Sequence, residues 1–321
     1  MIILSSLGMV TFTIDSKWGW DTWWYDNFKI NGYQLSYMVR TVFDSLSNVY
    51  NQFIPVILGL VIFLRLRKIK DWVFICLLVL PFSPFGFVGL FVLQFAEWLS
   101  NILANNKNKI RQIIYSNFFS IANFSAICTI FPVFLSFFLM NNAANTINKS
   151  LFFPLSAYTF THIAILLLYY LLQFGIYLYF CHEYNDDKIL YWAALISLLL
   201  FPFLHIGNSA DFCWNSSVPA FYLIMIFMFR YHLKLDYDGR GSIIKKFLLC
   251  IVTCIMILTP TMQLGSMMYK CIKMDTFFVD VDDSLYRGTF SKAFEDDIGK
   301  YYSNFLVAKY KDKIFFKYLA K

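Results

Sequence analysis

In this chain of 321 residues 59% are hydrophobic, 21% aromatic and 15% charged, against about 45–50% apolar and about 25% charged in soluble domains. The formal net charge of +7 falls in short Lys- and Arg-rich links between long apolar runs, the pattern of topology signals rather than of a nucleic-acid-binding face. These properties exclude a soluble domain and nucleic acid as a partner, and they point to an all-α, polytopic transmembrane helical bundle, because the alternating segments of about ten residues that build a membrane barrel are absent.

Met1 to Ile14 is apolar but short. At about 1.5 Å per helical residue it does not cover a hydrocarbon core of roughly 30 Å, and it lacks the basic start and small-residue cleavage site of a signal peptide. Re-entrant, interfacial and shortened-first-helix readings all remain open. The stretch "DSKWGWDTWWYDNFKINGY" then sets Trp18, Trp20, Trp23 and Trp24 among Asp15, Asp21 and Asp26, which is membrane-interface chemistry, since an indole has an apolar body and one polar edge. Leu35, Met38, Val39, Val42, Phe43, Leu46, Val49 and Tyr50 recur at helical spacing opposite Arg40, Asp44, Ser45 and Asn48, predicting an amphipathic helix on the membrane surface. Residues 1–50 thus form an outward-facing N-terminal region.

Residues 51–262 carry the bundle. The first span runs over Phe53 to Leu64, extends back to Tyr50, and closes at Arg65, Arg67, Lys68 and Lys70. From Trp72 to Trp98 the run is broken by Pro81 and Pro84 in "LPFSPFGFVG", a kinked helix or a tight hairpin. Further spans are predicted from Ile113 to Met140, Leu151 to Phe180, Ile189 to Phe203, Val218 to Tyr231 and Phe247 to Met262, followed by a small mixed tail over 263–321, expected outside the cytoplasm.

Three links are rich in Lys and Arg: Arg65 to Lys70, Lys107 to Arg111, and Arg230 to Lys246. All three belong in the cytoplasm if the Trp72 to Trp98 run dips in and returns, which favours the hairpin. The N-terminal region, the link at Asn141 to Ser150, "NSADFCWNSS" and the tail then face outward. Asp211 sits at an outer mouth on this reading, where water spares it the roughly 2.5–3.5 kcal/mol of a carboxylate in hydrocarbon.

Seven Cys show no C-x-x-C pair and the four His are dispersed, with His162 inside an apolar run, so no metal site is predicted and no cofactor is identified. Cys213 and Cys271 fall in polar links and are the pair to consider for a disulfide. Asp280, Asp282 and Asp283 in "VDVDD" lack a strand–loop context and read as a solvated turn.

At "DFCWNSSVPAFYLIMIF" the chain resembles a group of bacterial multi-pass inner-membrane proteins of surface-polysaccharide settings, whose late motif reads D-F-x-x-R-x-S-I-P-A-L-F. Asp211, Phe212, Ser217, Pro219, Ala220 and Phe221 fit it, and "KIFFKYLAK" resembles that group's ending. The resemblance covers the C-terminal third, and elsewhere only the hydropathy is similar. It departs at Asn215, where the group carries Arg and its permanent bidentate charge. The group is similar in layout to GT-C glycosyltransferases, which draw sugars from lipid-linked donors using acids of the first outer loop. That layout implies a bacterial cytoplasmic-membrane enzyme of envelope polysaccharide biogenesis acting on a polyprenyl-phosphate-linked sugar. Asp21 and Asp26 would be its catalytic acids, Trp23 and Trp24 its sugar-stacking faces, and Asp211, Asn215 and His205 its substrate contacts.

Structural readings stand beside these: an interface belt for the tryptophans and acids, and for Asp211 a cap on a helix beginning near Val218, with Pro219 in its first turn. Two other functions stay open. A lipid-linked glycan transporter or flippase would place charges along a central pathway, yet Gln94, Glu97, His162 and Gln173 are sparse. A non-catalytic assembly partner is favoured by Asn215. The enzyme reading needs Asp21 or Asp26 and Asp211 in one cavity.

Overall fold

The computed structural model describes residues 29–30, 33–34, 50–66, 69–104, 115, 119–140, 159–182, 187–204, 211–238, 243, 245–254 and 317. Among these the structure is helical apart from turns and one two-residue antiparallel pair. That pair is β1 (Lys29–Ile30) and β2 (Tyr33–Gln34), with Lys29 opposite Gln34 and Ile30 opposite Tyr33. The predicted amphipathic helix before Tyr50, the "VDVDD" stretch and the small C-terminal tail lie outside the described residues, except Lys317.

The helices are α1 (Tyr50–Leu66), α2 (Trp72–Val79), α3 (Pro84–Ala104), α4 (Ile121–Met140), α5 (Phe160–Tyr170), α6 (Ile176–Cys181), α7 (Lys188–Leu200) and α8 (Asp211–Asp238). Three stretches within them, Pro84–Leu103, Ile121–Leu139 and Phe212–Lys234, are long and apolar enough to cross a membrane. A π-helical turn, Leu171–Gly175, joins α5 to α6 within the span expected from Leu151 to Phe180; residues 151–158 of that span lie outside the described residues. The α4 helix starts at Ile121, where the Ser120 hydroxyl accepts the Asn123 N–H at 3.1 Å and caps it.

The Trp72–Trp98 run is a hairpin. Trp72 packs on Phe91, Phe95 and Trp98 with ring centroids 5.3, 6.4 and 6.1 Å away, and the Cys76 thiol donates to Gln94 Oε1 at 3.2 Å. Residues early in α2 therefore meet residues late in α3, and the chain reverses over 80–83. Pro84 opens α3, where its missing N–H falls among donors that have no intrahelical partner. Ser83 stabilises the turn by accepting the Gly86 N–H on its hydroxyl at 3.2 Å. At 8 residues, about 12 Å, α2 is too short to cross a bilayer.

The remaining helices alternate in direction. Asn123 at the start of α4 accepts the Phe74 N–H at 2.9 Å and donates to the Lys70 carbonyl at 2.9 Å. The Tyr170 hydroxyl donates to the Leu199 carbonyl at 3.0 Å, and Phe180 rests on Tyr231 at 6.0 Å. Arg230 pairs with Asp187 at 3.1 Å, and Phe201 meets Phe212 at 5.8 Å. Past α8, residues 245–254 are helical and return beside it, Thr253 bonding His232 at 3.0 Å.

One end of the molecule thus gathers Arg65, Lys70, Asp187, Arg230 and Lys234, together with the end of α3 that leads into the second basic link. The opposite end holds the 80–83 turn, Phe201 and the start of α8. The core runs between them, with Leu60, Leu90, Leu93, Ala194, Leu198, Leu223, Ile224 and Met225 fully buried.

Candidate functional site

The start of α8 is where the D-F-x-x-x-x-S-x-P-A residues fall. The helix begins at Asp211, two turns before Val218, and Pro219 lies inside it. Asp211 is therefore not the cap of a helix beginning near Val218. An interior proline removes one N–H and opens the ladder locally. The Ser216 hydroxyl donates to the Phe212 carbonyl one turn back.

Phe212 is clasped edge-on by Phe85 at 5.5 Å and by Phe201 at 5.8 Å, with Phe138 of α4 and Leu204 packed around them. Ser216, Ser217 and Ala220 are fully buried. A β-carbon at Gly89 would overlap the Ser216 carbonyl oxygen, so α3 and α8 touch backbone to backbone there, as helices do in membranes when small residues face each other. Most of the motif therefore serves helix packing.

Asn215, expected at a wet mouth, is buried. Cys213, expected in a polar link, lies on the buried helix face, its sulfur 3.8 Å from the Ser217 hydroxyl. Its proposed partner Cys271 lies outside the described residues, as do Asp21, Asp26, Trp23, Trp24 and His205, so the structure does not test whether the acids converge on Asp211. Of Asp211 the backbone alone is described.

Beside this cluster is a cavity of about 370 Å³ lined by Gln52, Pro81, Phe82, Pro84, Phe134 and Phe137. Pro84 and Phe137 precede Phe85 and Phe138 in the chain, so the cavity and the Phe212 cluster lie at the same ends of α3 and α4 while lined by different residues. One amide among aromatic and proline rings suits a hydrocarbon chain or the C–H face of a sugar. No lining side chain is titratable, so the cavity can hold a ligand but supplies no acid or base. Sequence reading singled out Pro81 and Pro84 as a break but missed Gln52, Phe82, Phe134 and Phe137 as a lining, because scattered Phe carry no periodic signal. The prolines of the 80–83 turn were the available clue. It also missed Asn123 and the Cys76–Gln94 bond, both of which stand out as amides inside apolar runs.

Among the described residues no group of three or more His, Cys, Asp or Glu is placed to hold a metal. No protein family, curated protein or solved structure matches the chain.

Proposed function

We propose that the chain is a multi-pass protein of the bacterial cytoplasmic membrane that acts in envelope polysaccharide biogenesis, as a GT-C-like glycosyltransferase using a polyprenyl-phosphate-linked sugar. The observation that carries this reading is the polarity of the molecule: an aromatic cavity and the start of α8 both lie at the end opposite the basic residues. With the basic end in the cytoplasm, that cavity opens toward the outer leaflet. Its Phe and Pro walls suit an isoprenoid chain, and Asp211 opens the neighbouring helix. Asp21 or Asp26 would take the acceptor hydroxyl proton as the lipid phosphate leaves.

Asn215 favours a second reading, a non-catalytic assembly partner, because a buried neutral amide replaces the charged Arg of the resembling group. A transporter is less well supported: the fully buried polar side chains among the described residues are Ser, Asn and Gln, none of them charged.

The test is surface-glycan complementation with Asp21→Asn, Asp26→Asn and Asp211→Asn, each checked for membrane insertion. Glycan lost from the Asp211 variant and one N-terminal variant supports transfer. Wild-type glycan from all three sinks the enzyme and leaves the partner reading ahead. Lys234→Cys, shielded from an impermeant outer-face thiol reagent, supports the orientation, and its labelling overturns it.

A further inference from the structure

The groove between α1 and α2 lies away from the Phe212 cluster and takes no part in the proposed transfer. It encloses about 410 Å³, walled by Leu58, Ile62 and Leu66 on α1 and by Ile75 and Leu78 on α2, with Asp71 at its mouth. Leu58, Ile62 and Leu78 are roughly half exposed, so the groove opens sideways, where a membrane protein meets lipid. From Pro55 to Leu66, both of which line it, α1 rises about 16 Å. That is close to half of a roughly 30 Å hydrocarbon core, the depth of one leaflet.

Opposite charges lie at this end of the groove. Asp71 lines it, and Arg65, seven residues or nearly two full turns after Leu58, lies at the Leu58 edge of the lining face of α1. Asp71 begins the stripe of α2 that continues through Ile75 and Leu78, and its carboxylate does not cap the helix. Among the described residues neither Arg65 nor Asp71 has an ion-pair or side-chain hydrogen-bond partner. A phosphate answers Arg65, while Asp71 calls for a cation that can donate hydrogen bonds. A headgroup with phosphate alone leaves Asp71 facing like charge, and a quaternary ammonium has no N–H to give.

We propose that the α1–α2 groove is a binding site for a phospholipid of the phosphatidylethanolamine class. One acyl chain lies along Leu58, Ile62, Ile75 and Leu78, the phosphate meets Arg65 and the primary ammonium meets Asp71. The site depends on the groove and its charges alone, so glycan output and lipid retention are read separately.

The test uses the full chain purified in mild detergent and offered equal amounts of phosphatidylethanolamine, phosphatidylcholine and phosphatidylglycerol with identical acyl chains. Retained lipid is counted by native mass spectrometry. The expected result is retention of phosphatidylethanolamine above the other two. Ile62→Trp, which fills the groove, loses the retained lipid, while Leu167→Trp on the exposed face of α5 leaves it. Asp71→Asn keeps lipid but reduces the preference for phosphatidylethanolamine over phosphatidylglycerol about tenfold, as loss of one charge-assisted bond requires. If Ile62→Trp does not elute as a single species, Leu78→Trp fills the groove from the α2 side. Equal retention of the three lipids, an unchanged preference in Asp71→Asn, or full retention by the groove-filled variants means annular lipid only and overturns the site.

Discussion

Two helices of membrane-crossing length, α4 and α8, have opposite places in the molecule. Within their apolar windows 11% of α4 and 83% of α8 is buried by protein, although α4 is the more apolar of the two. Inside a bilayer apolar side chains gain little by leaving lipid, so apolarity does not draw a helix to the centre. Close packing between small residues does. Ser216, Ser217 and Ala220 of α8 are fully buried, and Ser216 lies against the glycine of α3. The hydroxyls of Ser125, Thr129 and Ser136 on α4 bond only carbonyls of their own helix and stay at least partly exposed. Two contacts hold α4 at its ends: the Asn123 amide spans the Lys70 carbonyl and the Phe74 N–H, and Phe138 packs on the Phe212 cluster.

The strongest way to break this contrast is to widen the α3–α8 contact. Gly89→Leu should abolish the folded, monodisperse protein in detergent, because backbone at Ser216 cannot give way. Gly89→Ala should already lower stability by about 3 kcal/mol or more, since its β-carbon meets the same backbone carbonyl. Ser136→Leu on α4 should leave the elution profile unchanged.

Truncations of equal chemistry come next. Leu223→Ala in α8, where the side chain is fully buried, should cost about 2–5 kcal/mol. Leu135→Ala in α4, 42% exposed, should stay within about 0.5 kcal/mol. Reversible unfolding in mixed micelles measures both, and equal losses would dissolve the distinction between a central and a peripheral helix.

Asn123→Ala sharpens the picture from the α4 side. It leaves the Phe74 N–H without its acceptor and should cost about 1–3 kcal/mol, with faster hydrogen exchange at Phe74. Asn123→Asp keeps that acceptor but sets a second carboxylate oxygen against the Lys70 carbonyl at a fully buried site, and should cost at least as much. The smallest effect belongs to Arg230→Ala. Its ion pair to Asp187 joins side chains that are 50% and 17% exposed, and removing it should change stability by less than about 1 kcal/mol.

Helical class, the hairpin at Pro81 and Pro84, and the boundary near Phe203 were legible in the sequence, because long apolar runs and proline pairs act locally. The Asn31-Gly32 pair between β1 and β2, residue types that hairpin turns favour, was a local signal too and went unread. The start of α8 was not legible. "NSADFCWNSS" is polar by composition and reads as a link, yet helix begins at Asp211, because Ser216, Ser217 and Cys213 are buried against neighbouring helices, where an intrahelical ladder must satisfy the backbone.

By itself the sequence determined that this is a helical, membrane-type chain and which links are basic, since hydropathy and charge are sums over neighbours along the chain. Only the tertiary structure decided that α8 is central and α4 peripheral. It also brought Phe85, Phe201 and Phe212 together beside the aromatic cavity and left the α1–α2 groove open. Those outcomes depend on which small faces meet across space, a property of pairs of helices that no single stretch of sequence carries.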